Sequence, residues 1–205
     1  MGILSQPLSR GAALFGVVAI GTAISGTFPQ KHGLSLQLAQ FVHLLSVGMV
    51  VGVGNWTTFV FGIVAFKNLP RQTFGQLQAK LFPKYFQVLS ISLGLALLTF
   101  ANMRQIQSKT SNRQIWVLSV ALIPNLLNLL IIEPATTAAM NDRHRLEKGF
   151  EKDKASQDAL KSKPEYKSLS KRFGMLHGLS SLANLITVGA AHVHLWYLAT
   201  VMNRM

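Results

Sequence analysis

The chain has 205 residues, of which 49% are hydrophobic and only 13% carry charge, about half the charged fraction of an ordinary soluble domain. It contains no cysteine, which excludes disulfides, thiolate nucleophiles and cysteine metal sites. Its net charge of +13 lies in short stretches between apolar runs, with no aromatic-basic platform of the kind that binds nucleic acid.

Taken in chain order, the first apolar run is Gly11–Phe28, rich in Gly and Ala and preceded by Arg10. It reads either as a secretory signal, with Ala23 and Ser25 at a small-residue cleavage site, or as a fifth span. Four longer runs follow: Leu38–Phe66, Leu81–Asn102, Gln114–Ile132 and Phe173–Thr200. Each matches the roughly 20 apolar residues that a helix needs to cross a bilayer core. The interiors of these runs hold no charge except Lys84, close enough to an end to extend its ammonium to the interface.

The turn between the first two runs carries Lys67, Arg71, Lys80 and Lys84 with no acid, bracketed by Pro70 and Pro83. Phe74, Leu77 and Leu81 recur on one helical face, so a short amphipathic helix lying in the interface is expected, with Pro83 opening the second span. Four such cations hold a turn at an anionic leaflet, at about 1 kcal/mol each. After the third run Pro134 removes a backbone donor, and a kink near 131–133 is expected. Residues 134–172 then read as a water-soluble helical hairpin. Ala135, Ala139, Leu146 and Phe150 form one stripe; Tyr166, Leu169 and Phe173 form the other, opened by a Ser162–Glu165 capping box.

Lys and Arg counts orient the chain. The connections 67–84 and 133–172 place four and ten cations on one side, and Arg10 joins them if the first run spans. Lys31, Arg104, Lys109, Arg113 and Arg204 make five on the other. The richer side is the cytosolic one, in the plasma membrane or an endomembrane, with the mitochondrion as an alternative.

Three separated segments, "LPRQTFGQLQAKLFPKYF" at 69–86, "EPATTAAM" at 133–140 and "YKSLSKRFGMLHGLSSLANL" at 166–185, together resemble the transmembrane protein 205-like family. The likeness covers roughly residues 38–200. It implies a small four-span α-helical membrane protein without an established biochemical activity. Residues 1–37 then form an N-terminal extension, and 38–205 the membrane domain with its soluble hairpin 134–172.

Polar residues inside hydrocarbon are costly and face the bundle interior or a cavity. Alternating helix direction places Asn55 and Thr58 of the first span in the cation-rich half. The same holds for Gln87 and Ser90 of the second, Asn125, Asn128 and Glu133 of the third, and His177, Ser181 and Asn184 of the fourth. Two readings stand. These groups are interhelical glue, supported by the small residues of Gly48–Gly52 and of the Gly54, Thr58, Gly62 ladder. Alternatively they line a polar pocket open to the cytosol, with Glu133 and His177 as its titratable pair and Arg71 at its mouth.

His32, His43, His192 and His194 fall toward the opposite side, where His192 and His194 read as interfacial residues beside Trp196 and Tyr197. No cofactor or metal is expected. Nucleophile elbows, phosphate-cradling loops and zinc-protease motifs are missing from the sequence, so no catalytic residue is assigned. The expectation is an all-α multi-pass membrane bundle that binds or passes a small solute, with a scaffold or adaptor acting on a protein partner through the hairpin as the alternative.

Overall fold

The computed structural model describes residues 33–103, 110–148, 150 and 154–202. The signal-or-span run 11–28, Arg10, Lys31, His32, Arg104, Lys109 and Arg204 lie outside them. The described residues form α1 (Gly33–Asn55), a π-helical turn (Trp56–Phe61), α2 (Gly62–Asn68), α3 (Arg71–Met103) and α4 (Thr110–Leu127). A second π turn (Asn128–Ile132), α5 (Glu133–Glu147), α6 (Lys154–Ser162) and α7 (Pro164–Met202) complete them. Because the π turns and short connections keep helices collinear, four long spans result: Leu36–Asn68, Arg71–Met103, Asn112–Glu147 and Pro164–Val201. Each is long and apolar enough to cross a membrane, as the four runs require.

The four spans form an up-and-down bundle. Half of the apolar window of Arg71–Met103 is buried, against 28–33% in the other three. The second span is therefore the central one, and its Tyr85, Phe86, Leu89 and Leu93 pack with Val50, Ala121, Leu129 and Ala191 from the other three. Lipid tails supply no hydrophobic drive toward association, so contact comes from close approach of small residues. Ala96 and Ala121 are 0% exposed, and a Cβ on Gly54 would meet Val188 Cγ2 at 3.0 Å. Large apolar side chains on the outer faces, among them Phe41, Phe59, Phe66 and Trp196, point away from the bundle.

Several local expectations are corrected. No separate interfacial helix precedes the second span. Phe74, Leu77 and Leu81 belong to the opening turns of α3, and Pro83 sits buried inside that helix instead of opening it. The turn itself shrinks to Leu69 and Pro70, and the missing donor at Pro83 is tolerated within a helix that its neighbours hold on several sides. Ser162 is no N-cap. It ends α6, where its hydroxyl donates to Ala159 O at 2.7 Å, while Lys163 precedes Pro164 at the first position of α7. Gly48 and Gly52 face outward, with nothing within 4 Å of a Cβ at either; of the expected close-packing glycines, Gly54 is the one that meets another helix. The kink expected near 131–133 coincides with the second π turn.

The hairpin is also larger than expected. At about 1.5 Å per residue, spans of 33, 36 and 38 residues reach about 50 Å or more, against a bilayer core of about 30 Å. All four spans thus exceed the bilayer core in length. At one end of the bundle the end of α5 packs on the start of α7, with α6 against α7. Ala139 and Tyr166 of the two expected stripes are buried between helices. The start of α3 joins them as a third wall: a Cβ on Gly75 would lie 2.9 Å from His144 Cε1 and from Met140 Sδ. We call this three-helix extension the stalk.

Candidate functional site

Three polar constellations follow from this geometry, one at each level of the bundle. At the stalk, Glu147 is 8% exposed and gathers groups from all three walls. Tyr166 donates its hydroxyl to Glu147 Oε1 at 2.9 Å. Arg71 Nη2 stands 3.3 Å from the same oxygen, Arg143 Nε 3.6 Å, and His144 Nε2 4.0 Å from Oε2. The Arg143 guanidinium also covers the Phe173 ring at 4.5 Å. Arg71 is thus tied to the stalk, whereas Lys67, Lys80 and Lys84 are exposed. Because Arg71 touches Glu147 and Tyr166 directly, the two cation-rich connections lie at one end of the molecule.

The middle level holds the polar residues singled out in the spans. Asn184 accepts from Tyr85 Oη at 2.7 Å and donates to Thr58 Oγ1 at 2.8 Å, so one side chain ties three helices. Asn125, 1% exposed, donates to Phe86 O at 3.0 Å and Ser90 Oγ at 2.7 Å. Asn128, 0% exposed, donates to Ser180 O at 3.0 Å. Asn55 donates to His192 Nε2 at 3.1 Å, and the other nitrogen of that ring donates to Val188 O. Glu133 is buried and accepts from Thr137 Oγ1 at 2.8 Å. Gln87 is half-buried.

Two candidates turn elsewhere. His177 lies on an exposed face, stacked on Phe173 at 5.7 Å, and Ser181 is exposed with its hydroxyl on His177 O. The asparagines thus face the interior, and most of their hydrogen bonds cross between helices. One feature is left over: the side-chain oxygens of Asn125 and Asn128 are buried without a hydrogen-bond partner. An orphaned buried acceptor costs about 1–3 kcal/mol, and these two lie on neighbouring turns of one helix.

The third constellation, at the opposite end, corrects an expectation. His194 is not an interfacial residue beside Trp196; it is 0% exposed, and its Nε2 lies 3.0 Å from Nε2 of His43. His43 Nδ1 reaches Ala96 O and Thr99 Oγ1, and His194 Nδ1 reaches the Gln114 side chain. Tyr197 turns inward against Phe100, while Trp116 and Trp196, more than 70% exposed, remain as an outward aromatic pair. His43 and His194 were legible as residues of equal depth. Gln114 and Thr99 carried no signal, because a polar residue near a span end normally faces water. Among the described residues no group of three or more His, Cys, Asp or Glu is arranged to hold a metal ion.

Residues 45–145 match a family described as a domain of unknown function, DUF4149. The chain is also similar to Transmembrane protein 205 of Danio rerio, with 31% identity over 179 residues, covering 82% of this chain and 95% of that relative. No solved structure matches. With four apolar helices and a relative matched almost end to end, the chain is a multi-pass integral membrane protein that belongs to the transmembrane protein 205 family.

Proposed function

We propose that this protein is a non-enzymatic membrane protein whose polar interior binds or passes a small solute that donates hydrogen bonds, entering from the cation-rich end. That end is the cytosolic one by the Lys/Arg balance of its connections. The observation that carries the reading is the pair of buried, unpartnered oxygens of Asn125 and Asn128. Both residues use their amide hydrogens on neighbouring helices, which fixes each oxygen as an acceptor. A protonated amine or an amide is the complementary chemistry. Titration by Glu133 and His177 together has no part in it, because His177 lies on an exposed face.

The test is uptake of methylammonium by proteoliposomes containing the full chain. Asn128→Ala should abolish uptake above the empty-vesicle rate. Asn184→Ala, which removes interhelical hydrogen bonds only, should retain most of it. Equal uptake by wild type and Asn128→Ala, or none by wild type, removes the reading.

A second reading, a scaffold or trafficking adaptor that engages a protein partner, is favoured by the stalk. Its α5 and α7 flank a groove lined by Asp142, Arg145, Leu146, Glu165, Ser168 and Leu169. Replacing residues 141–162 with a short linker separates the two readings. An adaptor loses function, and a solute-binding bundle largely keeps it.

A further inference from the structure

The His43–His194 contact imposes a constraint that hydrogen-bond directionality resolves. Ala96 O can only accept. The Thr99 hydroxyl spends its proton on the carbonyls of Leu95 and Ala96, at 2.7 and 3.2 Å, so toward His43 it too can only accept. His43 Nδ1, at 3.0 and 3.1 Å from these oxygens, must therefore carry hydrogen. Between the two Nε2 atoms, 3.0 Å apart, one hydrogen must also lie, because two bare lone pairs would repel at that distance.

What remains is His194 Nδ1, 2.9 Å from the Gln114 side chain, whose oxygen is the atom turned toward it. An oxygen there requires a hydrogen on His194 Nδ1. The two rings then carry three hydrogens between them and a charge of +1. If the amide turns over and presents its NH2 group, His194 Nδ1 becomes the acceptor and His194 Nε2 the donor. The pair then holds two hydrogens and no charge. Both arrangements satisfy every nitrogen, and they differ by one proton and one amide rotation.

The surroundings offer acceptors for all three hydrogens, set against the cost of burying a charge. Facing the pair are three oxygens, from Ala96, Thr99 and Gln114, together with the Phe100 ring, whose centroid is 5.5 Å from His43 and 5.2 Å from His194. Tyr197, with its ring 6.0 Å from His194, is the further titratable neighbour on α7. Arg113, next to Gln114 on α4, is exposed. The facing residues of α1 and α3 are otherwise uncharged. Each long span contributes a member: His43, Ala96 with Thr99, Gln114 and His194.

We propose that His43 and His194 form a proton-binding site at the cation-poor end of the bundle, taking up one proton shared between their Nε2 atoms while the Gln114 oxygen accepts from His194. The proton comes from the aqueous phase; no other bond forms or breaks, and the pair passes from charge 0 to +1. The site is distinct from the Asn125–Asn128 level and stands whether or not a solute binds there.

The experiment is 15N NMR of histidine-labelled full-length protein in nanodiscs, titrated from about pH 8 to about pH 5, the range in which histidines exchange protons. The site predicts that the His43 and His194 signals move together and account for one proton per pair. In Gln114→Leu, which removes the third oxygen, both rings should keep their neutral signatures across the range. This measurement needs no variant for its primary result, so a folding defect in Gln114→Leu does not blunt it. Two rings that stay neutral in wild type across the range would overturn the proposal. So would two protons taken up independently, or signals that respond to added copper or zinc and not to pH.

Discussion

Replacing Glu147 by Gln keeps the shape of the side chain at the centre of the stalk and removes its charge. Glu147 and Arg143 are each about 10% exposed as side chains and 3.6 Å apart, so the change leaves a guanidinium without its counter-charge in a largely enclosed place. Removing one partner of a buried pair costs about 3–5 kcal/mol. The Arg71 contact adds under about 1 kcal/mol, because that side chain is 60% exposed and screened by water. Part of the Tyr166 hydrogen bond survives on the amide oxygen. About 3 kcal/mol is therefore expected, a factor of roughly 100 in the opening equilibrium of the stalk. Amide hydrogen exchange followed by mass spectrometry reads this locally. Peptides from 133–147 and 164–172 should lose about 100-fold in protection, while the buried turns of 85–100 keep theirs. The double variant Arg143→Met with Glu147→Leu removes both charges and should recover to within about 1 kcal/mol, because an apolar pair of similar volume substitutes well for a buried ion pair. A loss below about threefold in Glu147→Gln, or a double variant as labile as the single one, would show that charge is not what closes the stalk.

The same exchange experiment should find Gly75→Leu defective in the stalk by about 1–3 kcal/mol, since its Cβ alone would already lie 2.9 Å from two side-chain atoms. Gly48→Ala and Gly52→Ala, with open space around them, should leave unfolding unchanged or slightly delayed. A double-mutant cycle between Asn184→Ala and Tyr85→Phe should return a coupling of about 0.6–2 kcal/mol in denaturation from detergent, and additivity would deny the hydrogen bond. Because the chain has no cysteine, Lys67→Cys and Lys161→Cys can each be labelled singly with an impermeant maleimide. Both should react from the same face of sealed vesicles, and reaction from opposite faces would contradict the bundle.

Much of the fold was legible because lipid makes hydropathy decisive. Four uncharged runs of spanning length leave few alternatives to four helices, and short connections force neighbours to be antiparallel. What hydropathy could not give was where each helix stops. The segment 71–80 is too polar for the membrane interior and amphipathic enough to lie on its surface, so its composition fits an interfacial helix as well as a helical extension. The Gly75 contact with Met140 and His144 decides between them, and that contact joins residues more than 60 positions apart. Glu147 was likewise not singled out in the sequence, and its partner Arg71 arrives from another helix.

The interior was legible in depth and only partly in direction. Counting residues from a span end fixes how far down a side chain lies, which is why His43 and His194 could be placed at one level. Rotation about the helix axis decides whether residues at one level meet, and each wide turn resets it. Pro134 announces the second π turn, because its ring displaces the carbonyl four residues back, at Leu130. Glu133 N–H then bonds Asn128 O five residues behind it. Trp56–Phe61 has no such proline; its closing bond runs from Gly62 N–H to Thr57 O, and a Cβ on Gly62 would approach that oxygen to 3.3 Å. A glycine that reads as packing surface in the sequence is the residue that leaves room for the wide turn. That turn lies between Asn55, which meets His192, and the rest of the first span, and it contains Thr58, which meets Asn184. Both wide turns lie beside or at intramembrane amides, Asn55 and Asn128. The rotation they impose is a reason that equal depth alone did not reveal which polar groups join.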